Sequence, residues 1–322
     1  MTESPVFSFS RVCWGVVWLG CLVGLAFSWL GLLGDRHWAF DLVSHFRWQY
    51  LAVAVVVMLI AVGRRAWLMA VAGLATVVLN VWLIFGFVEE TGEPDEADPG
   101  LKVMCLNLLV GNTNVDGVLA EVSRIDPDIL ILVEVSADWS QALEPLTKQF
   151  PHAKFRAKSF YGVAALSRHE LRSLETLTLP GSAFPIVEAE LEWHGRRMKI
   201  IGAHPVPPMS GTAHRNWVNH LRVLGHHVAA SEVPCVLGGD LNATPWCHGM
   251  RQLLRHSDLG FRLADSAAPW YAAYPTWAVG APFGIHIDHI LCTPELVLDQ
   301  YEVGEDVGSD HRAVVARVRW VK

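Results

Sequence analysis

Two stretches of this 322-residue chain carry no charged side chain: Val12 to Gly34 and Ala66 to Val88. Apolar runs of that length cannot alternate between a core and water. They must be buried on all sides, in a protein interior or in lipid. As helices rising about 1.5 Å per residue, each can cross a hydrocarbon layer of roughly 30 Å. Between them, Trp48 to Gly63 is also uncharged but reaches only about 24 Å. Arg47 and Arg64 flank it and suit snorkelling to the two interfaces. About three transmembrane helices are therefore expected within residues 1–88, and they hold most of the excess in a chain that is 52% hydrophobic. A secretory signal peptide does not fit, because the first stretch is too long and further apolar runs follow it.

Arg11 precedes the first apolar stretch, and Arg64-Arg65 separate the second from the third. The positive-inside rule places both on the cytoplasmic side. Three crossings then put everything after Val88 outside the cytoplasm; losing the middle span reverses the parity. The segment 35–49 carries Asp35, Arg36, His37, Asp41, His45 and Arg47, and reads as a polar interfacial loop in preference to a second functional site. Residues 89–100, EETGEPDEADPG, hold six acidic residues and no basic one, which suits a solvated linker.

From Leu101 to Lys322 short apolar runs alternate with loops rich in Gly, Pro, Asp and Asn. Strands are expected at 101–109, 129–135, 163–166, 186–193, 198–203, 235–237, 287–292 and 313–320. Helices are expected at 113–125, 138–150 and 215–230. Helices do not separate every strand, so a purely parallel sheet is excluded. Two mixed, largely antiparallel sheets should pack face to face with helices outside. The six cysteines show no CxxC or zinc spacing and read as buried free thiols. After Pro99 there are 20 basic and 23 acidic side chains, so this part of the chain has no basic nucleic-acid footprint.

Polar residues stand at the ends of the apolar runs, where an unpaired carboxylate or imidazole is costly. Asn107 interrupts the first run, Glu134 closes the second and His204 follows Ile200-Ile201-Gly202-Ala203. Asp240 and Asn242 follow Val236-Leu237-Gly238-Gly239; Asp288 and His289 fall within 287–292; Asp310 and His311 precede the last run. Carboxylates, amides and imidazoles without accompanying sulfur suit attack on a phosphoester assisted by a hard divalent cation. There is no GxSxG elbow and no GxxxxGK[ST] loop, which argues against a serine hydrolase and a P-loop enzyme. His286 and His289, three apart, would fall on opposite faces of a strand and so do not suggest zinc. Trp246, Trp270 and Trp277 read chiefly as packing residues near the cleft.

The order Asn107, Glu134, Tyr161-Gly162-Val163 through Ser167-Arg168, His204-Pro205, Gly239-Asp240-Leu241-Asn242, Thr276-Trp277, Ile287-Asp288-His289-Ile290 and Ser309-Asp310-His311-Arg312 resembles the endonuclease/exonuclease/phosphatase family. The resemblance spans 101–322 and implies the deoxyribonuclease-I-like fold, a four-layer α/β sandwich. It implies a Mg²⁺- or Mn²⁺-dependent phosphoesterase. Glu134 would be the principal metal ligand, supported by Asn107 and Asp310, the latter open to being a partner of His204 instead. Asp240 would orient or deprotonate the attacking water, with Asn242 holding that water or a phosphate oxygen. His311 would stabilise the phosphorane-like charge, Asp288 would fix its ring, and His204 would be a second phosphate-facing imidazole. Leu109 and Phe160 depart from the Asp and Tyr of many abasic-site endonucleases, which argues against abasic-site repair. The apolar segment with Asp41-Leu42-Val43-Ser44-His45-Phe46-Arg47 is similar to a membrane-anchored bacterial subgroup. That implies an integral inner-membrane protein with an extracytoplasmic catalytic domain. Its partners would be the bilayer and a phosphoester drawn from nucleic acid, phospholipid or inositol phosphate, cleaved as phosphodiester or phosphomonoester. A catalytically silent, membrane-tethered binding protein on the same fold is the alternative.

Overall fold

The computed structural model describes residues 9–89, 91–264 and 268–322, with the side chains of 9–17 and 268–270 left out; Cys13 and the Trp270 side chain thus lie outside the described residues. The chain divides into two compact units, Met1–Gly86 and Phe87–Lys322.

The first unit is helical: α1 (Phe9–Leu30), a 3-10 turn at Gly31–Leu33, α2 (Trp38–Ser44), α3 (Arg47–Gly63) and α4 (Trp67–Phe85). Among the described residues, α4 is by itself long and apolar enough to cross a bilayer; 18–33 and α2 pass the same test only as a pair bent by 118°, and α3 is shorter. Of the about three spans expected, the described residues support one such helix, or two if the bent pair counts as one span. The parity argument for an extracytoplasmic domain thereby loses its footing. The segment 35–49 is also no interfacial loop. Asp41, Ser44, His45 and Arg47 are buried. Arg47 does not snorkel outward: its guanidinium donates to the Ser28 carbonyl at 2.5 Å, while Asn80 donates to the Ser28 hydroxyl at 2.8 Å. A guanidinium amid apolar helices settles where carbonyl and hydroxyl oxygens replace its water.

The second unit is α/β, with two mixed sheets flanked by helices. The first sheet runs β10-β11-β1-β2-β4-β3, comprising β1 (Leu101–Asn107), β2 (Ile129–Val133), β3 (His152–Arg156), β4 (Val163–Ser167), β10 (Leu296–Val303) and β11 (Val314–Trp320). The second runs β5-β6-β7-β8-β9, comprising β5 (Leu171–Thr178), β6 (Pro185–Trp193), β7 (Arg196–Ala203), β8 (Cys235–Asp240) and β9 (Asp288–Cys292). Each sheet has one parallel pair, β1 with β2 and β7 with β8, and is otherwise antiparallel. The expected runs become the central strands and β9, one edge of the second sheet. Three strands were not expected, β3, β5 and β10, and all lie at sheet edges, where one side faces water and the apolar signal thins.

The sheets meet closely where β8 and β7 offer glycine. A Cβ on Gly238 would lie 2.3 Å from Cys105 Sγ, and one on Gly202 would lie 2.7 Å from Ile131 Cγ2. Outside the first sheet, α5 (Val115–Ile125), α6 (Ala137–Ala142) and a 3-10 turn (Glu144–Lys148) cover a core that includes Trp139 and Phe150. The single helix expected over 138–150 is broken because Pro145 opens the 3-10 turn. Beside the second sheet lie α7 (Gly211–Ala229) and α8 (His248–Arg255), with α7 reaching β6 through His227 and Glu188.

The acidic stretch is strapped to this unit at several points, while Glu89, Glu93 and Glu96 stay exposed. Val88 bridges Phe261, Glu89 pairs with Arg262 at 2.5 Å, and Asp95 N–H donates to the Trp320 carbonyl at 2.8 Å. Asp98 accepts from Trp193 Nε1 and Trp320 N–H, each at 2.8 Å. Glu90 lies outside the described residues.

Candidate active site

The topology brings the strand-end polar residues to one rim. β1 and β2 run parallel and stop together, with Asn107 beside Val133 and Glu134 next along the chain. β7 and β8 do the same, delivering His204 and Asp240. β9 runs against β8 so that its first residue, Asp288, is the partner of Asp240. β11 runs against β1, so Ser309-Asp310-His311 arrives at the same edge.

One amide nitrogen lies at the centre. Asn107 Nδ2 donates to Glu134 Oε1 at 3.2 Å and to Asp240 Oδ2 at 3.0 Å, and lies 3.5 Å from His311 Nε2. Its Oδ1 accepts from Leu109 N–H at 2.9 Å, and Glu134 Oε2 accepts from Val110 N–H at 3.0 Å. Asp240 Oδ1 accepts from Asn242 N–H at 2.8 Å, while Asn242 Nδ2 donates to the Pro205 carbonyl at 3.0 Å. Asp240 Oδ2 lies 3.4 Å from His204 Nε2 and 3.6 Å from His311 Nε2. The other nitrogen of His311 meets Asp288 Oδ2 at 2.8 Å. His204 Nδ1 lies 3.0 Å from the Phe160 carbonyl, which only accepts, so Nδ1 carries a proton and Nε2 faces Asp240.

All eight expected residues therefore fall in this region, but not on equal terms. Asp310 stands at the outer edge with its side chain 47% exposed; Oδ2 accepts from Trp277 Nε1 at 3.0 Å, and Oδ1 is 4.0 Å from His311 Nε2. The carboxylate beside His204 is Asp240, not Asp310. Two supporting residues had no role in the sequence reading. The Thr276 hydroxyl accepts from the N–H groups of Ile287 and Asp288, at 3.0 and 3.1 Å. The Ser309 hydroxyl donates to the Asn107 carbonyl at 2.8 Å and accepts from His311 N–H at 3.1 Å. A serine or threonine in a quoted motif is the only signal the sequence offers for such work.

Charge in the cluster is held by proximity. Burial works to raise the Asp240 carboxyl, but His311 and His204 outweigh it and bring it down to about 2. Burial likewise works against a charged His311, and Asp288 and Asp240 push it up to about 10. His204 is raised too, because Asp240 and Glu134 overcome its desolvation. Asp288 stays above the usual carboxylate range, chiefly through burial.

His286 and His289 do not form a zinc site. They lie 5.2 Å apart, ring to ring, and not on opposite faces, because His286 precedes β9 and escapes its alternation. Each is committed elsewhere: His286 between the Tyr274 carbonyl and Tyr301, His289 between the Ala243 carbonyl and Tyr271. Burial pushes His286 down to about 4, so it is a neutral partner in that network.

For a metal the donors are the carboxylates of Glu134, Asp240 and Asp310, with no cysteine sulfur among them; the Asn107 amide turns its nitrogen to Glu134 and Asp240 and its oxygen to Leu109 N–H, and so braces these carboxylates. Asp240, Asp288 and His311 also offer atoms within 4.8 Å of one another, although Asp288 and His311 already share a hydrogen bond. Among the described residues, no lysine or arginine pairs with Glu134, Asp240, Asp288 or Asp310. Four carboxylates beside two imidazoles, without sulfur, fit a hard divalent cation.

The chain belongs to the Endonuclease/Exonuclease/phosphatase family. The family's model matches residues 104–311, from β1 through His311. Enzymes of this family hydrolyse phosphoester bonds with the help of divalent metals, and this chain is one of them. No curated protein matches it in sequence. Among solved structures, it resembles D. rerio TDP2 complexed with single strand DNA product (14% identity, TM-score 0.55, covering 69% of this chain and 100% of that one). It resembles sphingomyelinase C from Streptomyces griseocarneus (16%, 0.52, 68% and 99%). It also resembles beta toxin from Staphylococcus aureus, a structure with bound magnesium ions (16%, 0.50, 68% and 99%). At these identities the likeness is one of fold.

Proposed function

We propose that this protein is a bilayer-anchored phosphoesterase, held in the membrane by its N-terminal helical unit. Its catalytic unit would cleave a phosphodiester or phosphomonoester using Mg²⁺ or Mn²⁺. The observation that carries the catalytic reading is the convergence of Glu134, Asp240 and His311 around a single Asn107 amide. The anchoring rests on α4 and on the apolar surface of the first unit, where Leu68 and Trp82 are among the most exposed side chains.

Glu134 and Asp310 would hold the ion, which supplies Lewis-acid polarisation of a phosphoryl oxygen, with Asn107 positioning the Glu134 carboxylate. The chain's own residues do the rest. A carboxyl held near 2 is a weak base, so Asp240 serves to orient the attacking water more than to remove its proton. Asn242, anchored to Pro205, presents its polar side chain beside that water. His311 is cationic across the physiological range, fixed through Nδ1 by Asp288, and its Nε2 faces the charge that develops on the phosphoryl oxygens. His204 stands ready as a second donor, with Nε2 turned into the site.

The test uses the full-length chain in detergent with bis(p-nitrophenyl) phosphate and added Mn²⁺. Asp240→Asn and His311→Asn each lower kcat by at least about 10²-fold, the scale of losing one transition-state contact. Full activity in either variant would sink the assignment. The structural neighbours include a protein with a DNA product and a sphingomyelinase, so nucleic acid and lipid headgroups are the first substrates to screen.

A further inference from the structure

Every large apolar side chain described as exposed on the catalytic unit lies on one of three loops: Phe160 and Tyr161, Met209, and Tyr274, Val279 and Phe283. Each loop is bonded to the site. The Phe160 carbonyl takes His204 Nδ1 at 3.0 Å. Met209 ends the proline-rich turn that begins at Pro205, whose carbonyl takes Asn242 Nδ2 at 3.0 Å. In the third loop, Ala278 N–H donates to the Asp310 carbonyl at 3.1 Å and Arg312 N–H to the Thr276 carbonyl at 2.7 Å. The apolar residues therefore form a collar at the mouth of the active site and are not scattered over the surface.

Two of the three loops are uncharged, and the first carries one lysine, Lys158, beside Phe160. Neither 205–210 nor 272–285 contains an acidic or basic residue. A surface that recognises a nucleic-acid backbone gathers lysine and arginine around its cleft. This one gathers Phe, Tyr, Met and Val around a cluster of carboxylates. Apolar exposure of this kind, confined to one rim, marks an interaction surface. The chain itself indicates what covers it. Its first unit carries α4, and Gly86 is the one residue between the end of that helix and Phe87, whose ring packs on Phe261 of the catalytic unit. A tether this short keeps the catalytic unit at the surface of whatever surrounds α4, at high effective concentration. Aromatic and methionine side chains on loops are suited to the headgroup boundary of a bilayer.

We propose that the mouth of the active site seats on the phospholipid surface that holds the N-terminal unit, and takes its phosphoester from the lipid–water boundary. This rests on the bilayer-anchored reading given above. The test reconstitutes the full-length chain into phosphatidylcholine vesicles, with an environment-sensitive fluorophore placed through Phe283→Cys or, as a control, through Gln149→Cys beyond the outer face of the first sheet; the wild-type chain is labelled in parallel. Quenchers on the lipid acyl chains should dim the Phe283→Cys probe at least threefold more than the control. Adding Met209→Ser and Val279→Ser should halve that quenching or more, while hydrolysis of bis(p-nitrophenyl) phosphate stays within twofold. A chain that fails to float with the vesicles overturns the anchoring and this inference together. A chain that floats while both probes are equally unquenched overturns the inference alone. Shielding of the Phe283→Cys probe by a single-stranded oligonucleotide but not by lipid overturns it in favour of a nucleic-acid mouth.

Discussion

At the scale of single residues, the site holds groups that a stable core would avoid. Asp240, Asp288, His204 and His311 are all buried, and Leu109, Glu134 and Asn242 take left-handed backbone with φ of 58°, 58° and 50°. Such a conformation costs a non-glycine residue about 1 kcal/mol or more and tends to persist at functional positions. For Glu134 the turn aims the carboxylate back at Asn107. Glu134→Gln keeps the shape and removes a charge. In metal-stripped protein, the Mn²⁺ concentration needed for half-maximal hydrolysis should rise at least about tenfold, the cost of losing one charged ligand contact of about 1.4 kcal/mol. An unchanged titration would place the ion elsewhere. Thr276 offers a test of support rather than contact. Thr276→Val leaves two buried N–H groups without their acceptor and should cost about 1–3 kcal/mol, read as a lower Tm, while Thr276→Ser restores both.

At the scale of elements, α5 reaches across to the segment that leads into the last motif. Glu121 is buried, receives Arg124 Nε at 2.7 Å and Nη2 at 2.8 Å, and accepts Glu305 N–H at 2.9 Å. It thereby fixes the chain four residues before Ser309. The Arg124 hydrogen bond, against the cost of burial, holds its carboxyl below the usual range. A lowered carboxyl stabilises the fold above its ordinary pKa and loses that contribution as pH falls through the folded value. Denaturation of wild type and Glu121→Gln should therefore show a gap at neutral pH that closes as the solution is acidified below about 4.5. A gap that widens in acid would mean that Glu121 acts by some other route. The central strands were legible in advance because both their faces are apolar. β3 and β5 were not, since their exposed positions dilute the pattern.

At the scale of the whole molecule, an apolar helical unit is joined to a phosphoesterase of the Endonuclease/Exonuclease/phosphatase family. If α4 anchors the chain, alkaline carbonate should leave the protein with the membrane pellet; release into the supernatant would contradict the anchoring. Protease added to intact spheroplasts then decides the side, since one crossing and two crossings predict opposite accessibility. Composition had identified the apolar stretches, but length without charge does not say whether a helix spans, bends back or packs. The 118° bend between 18–33 and α2, and the burial of Arg47 against Ser28, depend on which helices lie side by side.

The sequence alone determined the chemistry available: oxygen and imidazole donors in a fixed order, each at the end of a buried run, without sulfur or a basic stripe. That much is local, because a strand end is visible in the pattern of its own residues. Only the tertiary structure decided that these ends share a rim, that Asp240 and not Asp310 faces His204, and that the exposed apolar side chains of the catalytic unit sit on loops bonded to the site. Those facts depend on strand order, register and loop path, which arise from contacts between residues up to about two hundred positions apart, as Asn107 and His311 are.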